Sequence, residues 1–494
     1  MVLSCDQKAS SVNKKPNIVF ILTDDQTYNS IHALGNNEIA TPAIDKLVNA
    51  GTTFTSAYNM GSWSGAVCVA SRTMLNSGRT VWRANEYRKM PLDSNKIEKT
   101  WSRILAKNGY QTYMTGKWHV EVPVDSVFKT VKHERPGMPK DTWDHDLMVA
   151  KFDSLITIGS QDYESIMPVG YNRPKGVNDK SWSPSDSEFG GFWKGGKHWS
   201  EVLKDDAIQF IDSAKLSEDP FFMYLAFNAP HDPRQAPESF LSRYSIDQLS
   251  VPKSFLPEYP YRNGIQNGNQ LRDEALAPFP RTEYAIKKHI QEYYASITYT
   301  DYQIGLILEA LQKSVNMDNT YIIFTSDHGL AMGRHGLLGK QNLFDHSIRA
   351  PLIIVGPDIP KSEMNNSDVY IQDIMATTLE IAGIDKPSYI EFNSFLDQAK
   401  EKKQNNNYDA IYGAYLNVQR MIRKDGFKLI VYPEINKILL FDLKNDPEEM
   451  VNLSNEKEYA KKVKLMFEDL IVAQYEMEDP LDLSTFYRDY FDSY

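Results

Sequence analysis

Cysteine is nearly absent: the 494 residues include only Cys5 and Cys68, too few for a disulfide scaffold. Long apolar runs are missing as well. Nothing approaches the ~20 consecutive apolar residues of a transmembrane helix, so no membrane-crossing helix is expected. Nor is positive charge in excess. Lys and Arg number 54 against 65 Asp and Glu, a net charge of -11, which argues against nucleic acid as a partner because phosphate binding needs a basic surface. Any anionic ligand must therefore meet a local basic pocket. What remains is ordinary globular material, 41% hydrophobic and 24% charged with 26 Gly and 25 Pro, which excludes a fibrous or wholly disordered chain. Length alone allows about three domains' worth of chain.

Cys5 follows Val2-Leu3-Ser4 and precedes the polar stretch Asp6 to Lys15. Two readings of this tail, residues 1–15, stand side by side. It resembles the end of a bacterial lipoprotein signal peptide, with Cys5 carrying the lipid as the one route to a membrane, or it is a frayed terminus with an incidental thiol.

From Pro16 the pattern alternates short apolar strands with amphipathic helices. Residues 17–22 form a continuous apolar run of the kind buried on both faces of a sheet. A helix over 43–50 is punctuated by Thr41 as N-cap, Pro42 at its start and Gly51 past its end. Further helices are expected over 95–108 and 289–313, and strands over 111–115, 221–226, 321–324 and 351–355. This alternation predicts an α/β fold, a large, mostly parallel sheet sandwiched by helices. Between Glu121 and Ser200 periodicity is lost, and the stretch reads as a long functional loop region. The first block is expected to span 16–397 and a polar linker 398–408. A smaller C-terminal subdomain, 409–494, would hold antiparallel strands over 411–415, 418–422, 427–432 and 437–442 and a helix over 456–474.

Asp24 and Asp25 stand directly after the first buried strand, at the carboxyl edge where α/β sheets place ligands. Adjacent carboxylates repel, and a hard cation such as Ca²⁺ or Mg²⁺ offsets that repulsion. Thr325-Ser326-Asp327-His328-Gly329 also follows a buried strand, so Asp327 could complete an oxygen-rich site. Cys68 opens a helix with Arg72 one turn on, a setting that lowers a thiol pKa, although a buried structural cysteine fits the same spacing. Lys and His recur in Gly116-Lys117-Trp118-His119, Ala229-Pro230-His231-Asp232, and His335-Gly336 with Gly339-Lys340. Several such cations around a carboxylate-bound metal suggest a pocket for sulfate or phosphate.

Taken together, PNIVFILTDDQ (16–26), CVASR (68–72) with Gly78-Arg79, GKWH (116–119), APH (229–231), TSDHG (325–329), the HG and GK pairs near His335, and LFDLKNDPEEMVNL (440–453) resemble the type I formylglycine-dependent sulfatases of the alkaline phosphatase superfamily. The resemblance implies that a formylglycine-generating maturation enzyme oxidises Cys68 to formylglycine. It implies a Ca²⁺ site built from Asp24, Asp25, Asp327 and His328 together with the oxidised residue 68. Arg72 and Lys117 would hold the aldehyde hydrate and Lys340 the sulfate. His231 would protonate the leaving alcohol, and His119 would take the second hydroxyl proton to release sulfate. The chain departs from the commonest family pattern at Ala70, where Pro is usual, and at His328, where many members have Asn.

The stretches 229–238 and 335–353 look like those of sulfatases that marine bacteria use on ulvan, carrageenan or fucan, which implies a sulfated glycan substrate and a periplasmic or cell-surface enzyme. Trp182, Trp193 and Trp199, with Lys194, Lys197 and His198, would form a sugar-binding rim or, equally in keeping with the sequence, pack the long loop onto the core. Two rival functions are a phosphodiester or phosphonate monoester hydrolase of the same superfamily and a catalytically silent glycan-binding protein.

Overall fold

The computed structural model describes residues 14–401, 405–484, 488 and 491. Cys5 and residues 402–404 of the expected linker lie outside the described residues. Eight strands form the main sheet, in the spatial order Glu363–Asn365, Thr52–Phe54, Leu352–Val355, Thr320–Ser326, Asn17–Thr23, Phe221–Ala226, Gln111–Lys117 and Thr130–Arg135. Only Leu352–Val355 runs against its neighbours.

The central strand Asn17–Thr23 shows why the sheet is sandwiched. Ile18, Phe20 and Leu22 point to one face, where they join Trp101, Leu105 and Met375 from helices Trp101–Lys107 and Asp373–Ile381. Val19 and Ile21 point to the other, against Leu47, Phe210 and Ile307 from helices Pro42–Ala50, Trp199–Ala214 and Glu283–Ser314. Each such side chain contributes roughly 1.5–3 kcal/mol by leaving water, so a continuous apolar run is stable only with cover on both faces.

A second sheet has the order Lys437–Asp442, Phe427–Tyr432, Gln419–Lys424, Ile411–Tyr415 and Gly61–Ser62. Its first four strands are antiparallel, and helix Ala460–Glu476 packs Val463, Met466, Phe467 and Leu470 against them. The fifth, Gly61–Ser62, comes from the N-terminal block just ahead of the Cys68 helix and pairs parallel to Ile411–Tyr415. A side chain at Gly61 would place its Cβ 1.9 Å from the Ala414 carbonyl oxygen, so the two backbones can approach only at glycine.

Three local expectations give way to the structure. The helix expected over 95–108 is two, Ser94–Glu98 and Trp101–Lys107, with the chain turning at Thr100. The start of helix Pro42–Ala50 is capped by Asp301 from another element, whose carboxylate accepts from the Ala43 and Ile44 amides at 3.0 and 2.8 Å, while Thr41 turns its hydroxyl to Asp45. The region 121–200 is not structureless. It holds the polar edge strand Thr130–Arg135 and helices Val124–Val127 and His145–Thr157. Residues 398–401 continue a short helix, Leu396–Glu401, with Leu396 and Ala399 buried. Among the described residues no helix is long and apolar enough to cross a membrane.

Candidate active site

Four neighbouring strands of the main sheet deliver polar residues at their carboxyl ends. Thr320–Ser326 leads to Asp327 and His328, Asn17–Thr23 to Asp24 and Asp25, Phe221–Ala226 to His231, and Gln111–Lys117 to Lys117 and His119. Parallel strands make this convergence unavoidable, since all of them end on the same edge. Two residues there, Asp25 and His119, take left-handed backbone conformations with φ of 66° and 58°, uncommon for non-glycine residues.

Helix Val67–Ser77 points its first turn at this edge and ends at Gly78, whose φ of 69° suits a left-handed cap. Cys68 is buried in that turn. Its Sγ lies 3.3 Å from His328 Nε2 and accepts from Lys340 Nζ at 3.4 Å. One turn later Arg72 is wholly buried, donating from Nε to Asp327 Oδ2 at 2.9 Å and from Nη1 to the Lys117 carbonyl at 2.6 Å. Lys117 pairs with Asp24, and Lys340 reaches both Asp25 oxygens at 2.8 and 2.9 Å. Asn59 Nδ2 and Ser71 Oγ donate to the Asp327 carbonyl at 2.6 and 2.8 Å, and Tyr293 Oη donates to the Asp25 carbonyl at 2.6 Å, so the loop backbones are fixed as well.

The charges act on one another strongly. Burial alone would raise the Cys68 thiol, but Lys117, Lys340 and His328 outweigh it and hold the thiol well below its usual range. Asp24 is pushed well up, first by burial and then by Asp327. His328 is raised to about 9 because Asp327 and Asp25 overcome the opposing effect of burial. Its Nδ1 lies 3.0 Å from the Gly329 carbonyl, which as acceptor turns Nε2 toward Cys68 and Asp25.

Donor atoms of Asp24, Cys68, Asp327 and His328 all lie within 4.8 Å of one another. The buried Asp24 Oδ1 accepts no hydrogen bond. Two carboxylates, one with an unsatisfied oxygen, suit a hard divalent cation; the other two donors of the group are the Cys68 sulfur and an imidazole nitrogen. Asp25, Cys68 and His231 form an overlapping group.

His231 lies on the other side of Asp25, its Nε2 3.7 Å from Asp25 Oδ2, while Nδ1 donates to the Asp232 carbonyl at 2.8 Å. His119 is within hydrogen-bonding reach of Cys68, and burial pushes its pKa down to about 4. Thus Asp24, Asp25, Cys68, Arg72, Lys117, His119, His231, Asp327, His328 and Lys340 come together in one place.

Of the two readings of the loop tryptophans the packing one holds, and His335 falls outside the site. The loop tryptophans are packing residues and form no open rim: Arg173 lies 4.0 Å over buried Trp182, Arg135 lies 4.5 Å over buried Trp199, and Trp193 donates to the Pro184 carbonyl. His198 is buried against Gln235, and Lys197 pairs with Asp205. His335 stacks on Phe344 at 4.1 Å and bonds the Glu449 carbonyl, which makes it part of the contact with the second sheet. Conversely, Arg272 and Asp273 went unnoticed in the sequence. They lie in an aperiodic polar loop with no motif, and only the folded chain sets Arg272 Nη2 3.3 Å from His231 Nε2.

Residues 16–384 match the sulfatase family and residues 333–476 the N-sulphoglucosamine sulphohydrolase C-terminal family. Similar proteins include an N-acetylglucosamine-6-O-sulfatase of Bacteroides thetaiotaomicron, 27% identical over 98% of this chain and 90% of the relative. An ulvan-active sulfatase of Formosa agariphila is 25% identical over 93% of this chain and 82% of its own length. A solved structure described as a complex with its substrate D-glucosamine-2-N,6-O-disulfate superposes with a TM-score of 0.70 at 22% identity, covering 94% of this chain and 99% of that one. That likeness confirms the large helix-covered sheet with its smaller C-terminal partner. With the match spanning the whole sheet and every strand end that builds the site, the chain belongs to the sulfatase family and is a sulfatase.

Proposed function

We propose that the protein removes sulfate from a sulfated glycan, ulvan ahead of carrageenan or fucan, with Cys68 converted to formylglycine and with Ca²⁺ bound beside it. The observation that carries this reading is the convergence of Cys68 with Asp24, Asp327 and His328 inside a ring of Arg72, Lys117 and Lys340. The ulvan-active and N-acetylglucosamine-6-O-sulfatase relatives support a glycan substrate. A polymer too large to import puts the enzyme in the periplasm or at the cell surface, with Cys5 as the point of lipid attachment.

Asp24, Asp25, Asp327 and His328 would hold the Ca²⁺, which supplies positive charge against the carboxylates and a sulfate oxygen. Formylglycine, made by a maturation enzyme, supplies a hydrated aldehyde with one hydroxyl to attack sulfur and a second whose deprotonation expels sulfate.

The chain's own side chains do the rest. Arg72 and Lys117, anchored on Asp327 and Asp24, keep the residue 68 side chain in line for attack. Lys340 faces both Asp25 and Cys68 and is placed to offset charge that builds on the sulfuryl oxygens. His231, oriented through its Nδ1 bond to the Asp232 carbonyl, turns Nε2 toward the position of the leaving alcohol and delivers a proton there. His119, kept neutral by burial, is the base for the second hydroxyl.

The test is release of sulfate and phosphate from ulvan, carrageenan and fucan oligosaccharides and from a phosphodiester, comparing matured wild type with Cys68→Ala. Sulfate from ulvan, lost in the variant, is expected. Release that survives in Cys68→Ala overturns the role of residue 68, and release only from another glycan overturns ulvan.

A further inference from the structure

Arg272 stands beside the proposed acid but belongs to none of the motifs. Its Nη2 is 3.3 Å from His231 Nε2. A guanidinium only donates, so Nε2 is the acceptor there, in keeping with an Nδ1–H that donates to the Asp232 carbonyl. The same guanidinium pairs with the carboxylates of Asp232 and Asp273 and touches Met138 Sδ at 3.3 Å.

Both carboxylates are fixed from behind. Tyr171 Oη donates to Asp232 Oδ2 at 3.2 Å, and the Gln341 amide, one residue from Lys340, donates to Asp273. The next residue, Glu274, accepts from the Leu338 and Gly339 amides at 3.1 and 2.9 Å, tying this loop to the one that carries Lys340. Arg272 is therefore held in register with both the sulfate-gripping lysine and the acid, and its side chain keeps 16% of its surface open to solvent.

For His231 to protonate a leaving oxygen, Nε2 must first take up a proton from solvent, and that oxygen must occupy the place now taken by Arg272 Nη2. Substrate entry must then turn the guanidinium aside while Asp232 and Asp273 keep it at the mouth. What faces the incoming sugar is one fork of donors between two carboxylates; Asp232 Oδ1 accepts no hydrogen bond but lies 3.3 Å from His231 Nδ1. Donors and acceptors side by side fit hydroxyl groups, whereas a guanidinium already paired with two carboxylates has little charge left to offer a further anion.

We propose that Arg272, flanked by Asp232 and Asp273, reads the sugar bearing the scissile ester, selecting a free hydroxyl next to that ester and rejecting a second sulfate there. This inference rests on the sulfatase reading of the same site. The experiment measures kcat/KM for wild type, Arg272→Met and Asp273→Asn on three monosaccharide substrates. These are a monosulfated sugar, its analogue deoxygenated at the neighbouring carbon, and the sugar with a second sulfate at that carbon.

Hydrogen bonds to charged groups are worth roughly 10- to 100-fold here. Wild type should lose about that factor on the deoxy sugar, and Arg272→Met should lose about the same on the parent, chiefly through KM, with little further loss on the deoxy sugar. The disulfated sugar should be the poorer substrate for wild type, and Asp273→Asn should narrow the gap. If Arg272→Met loses the same factor on parent and deoxy sugars, the two losses multiply, Arg272 is only structural and the inference falls while the sulfatase reading stands. A disulfated sugar that wild type prefers also overturns it. If wild type frees sulfate from none of the three although it does so from an oligosaccharide, the inference falls alone; if it frees sulfate from neither, the reading of the site falls with it.

Discussion

Arg72 and Asp327 form a fully buried ion pair, Nε to Oδ2 at 2.9 Å, while Nη1 of the same guanidinium holds the Lys117 carbonyl and Nη2 lies 3.7 Å from Asp24 Oδ1. One side chain thus links the helix that carries Cys68 to three of the strand ends that complete the site.

Arg72→Met keeps the length of the side chain and removes its charge, leaving the Asp327 carboxylate buried without that partner. Loss of one partner from a buried pair typically costs about 3–5 kcal/mol. A urea unfolding midpoint should fall accordingly, and sulfate release should drop by roughly 100-fold or more. Arg72→Lys restores the charge but cannot make both bonds at once, so it should lie between the two.

Asp301 sets a pH dependence of stability. Burial pushes its carboxyl up to about 7, although it accepts the Ala43 and Ile44 amides. In the unfolded chain it titrates near ~3.9, so between those values the folded protein binds more protons than the unfolded. Stability from this group is therefore full below about pH 4 and declines as pH rises through about 7, by up to the order of 4 kcal/mol. Asp301→Asn should show a smaller drop in urea midpoint between pH 5 and pH 8 than wild type. The slope should shrink without vanishing, since burial also raises Asp373 and Glu449 to about 7.

The same residue marks what a sequence discloses and what it conceals. Strands such as Asn17–Thr23 were legible because burial on both faces demands an unbroken apolar run, and Asp24, Asp25, Asp327 and His328 were legible because they follow such runs directly. Asp301 as the cap of a helix begun at Pro42 was not, since the partner lies far along the chain while Thr41 stood adjacent as a plausible cap. Strand Thr130–Arg135 escaped because a half-buried edge strand carries TVKHER, with no apolar alternation to read. From sequence Trp182 and Trp199 fit a sugar platform or a packing role equally, and Arg173 and Arg135 stacked on them decide for packing. Arg272 and Asp273 were invisible for a related reason: ion pairing across loops leaves no periodic trace.

Ca²⁺ should stabilise the protein and depend on the proposed ligands. A cation that binds only the folded state at 100 times its dissociation constant adds about 2.7 kcal/mol. Differential scanning calorimetry of chelator-treated protein should therefore show a higher Tm on adding Ca²⁺, and Asp24→Asn should show little change. Since carboxylates and imidazole bind metal only when deprotonated, the shift should weaken as pH falls. An equal shift in wild type and Asp24→Asn would place the ion elsewhere.

Gly137 offers a way to move one side chain without unfolding the protein. A Cβ added there would sit 2.4 Å from His119 Cε1 and 2.6 Å from its Nε2, and the three nearest atoms all belong to that ring. The imidazole is the part that must give way, and turning it takes it from Cys68, the group it faces. Misplacing a catalytic group by about an ångström commonly costs ~100-fold. Gly137→Ala should therefore lower kcat for sulfate release by roughly 10- to 100-fold while its Tm stays within a few degrees of wild type. If His119 takes the proton that allows sulfate to leave, the defect lies after attack on sulfur. Leaving alcohol should then appear in a burst near the enzyme concentration, with sulfate following slowly. Equal slowing of alcohol and sulfate with no burst would show that the displaced ring was needed earlier in the reaction and would remove His119 from the role of base.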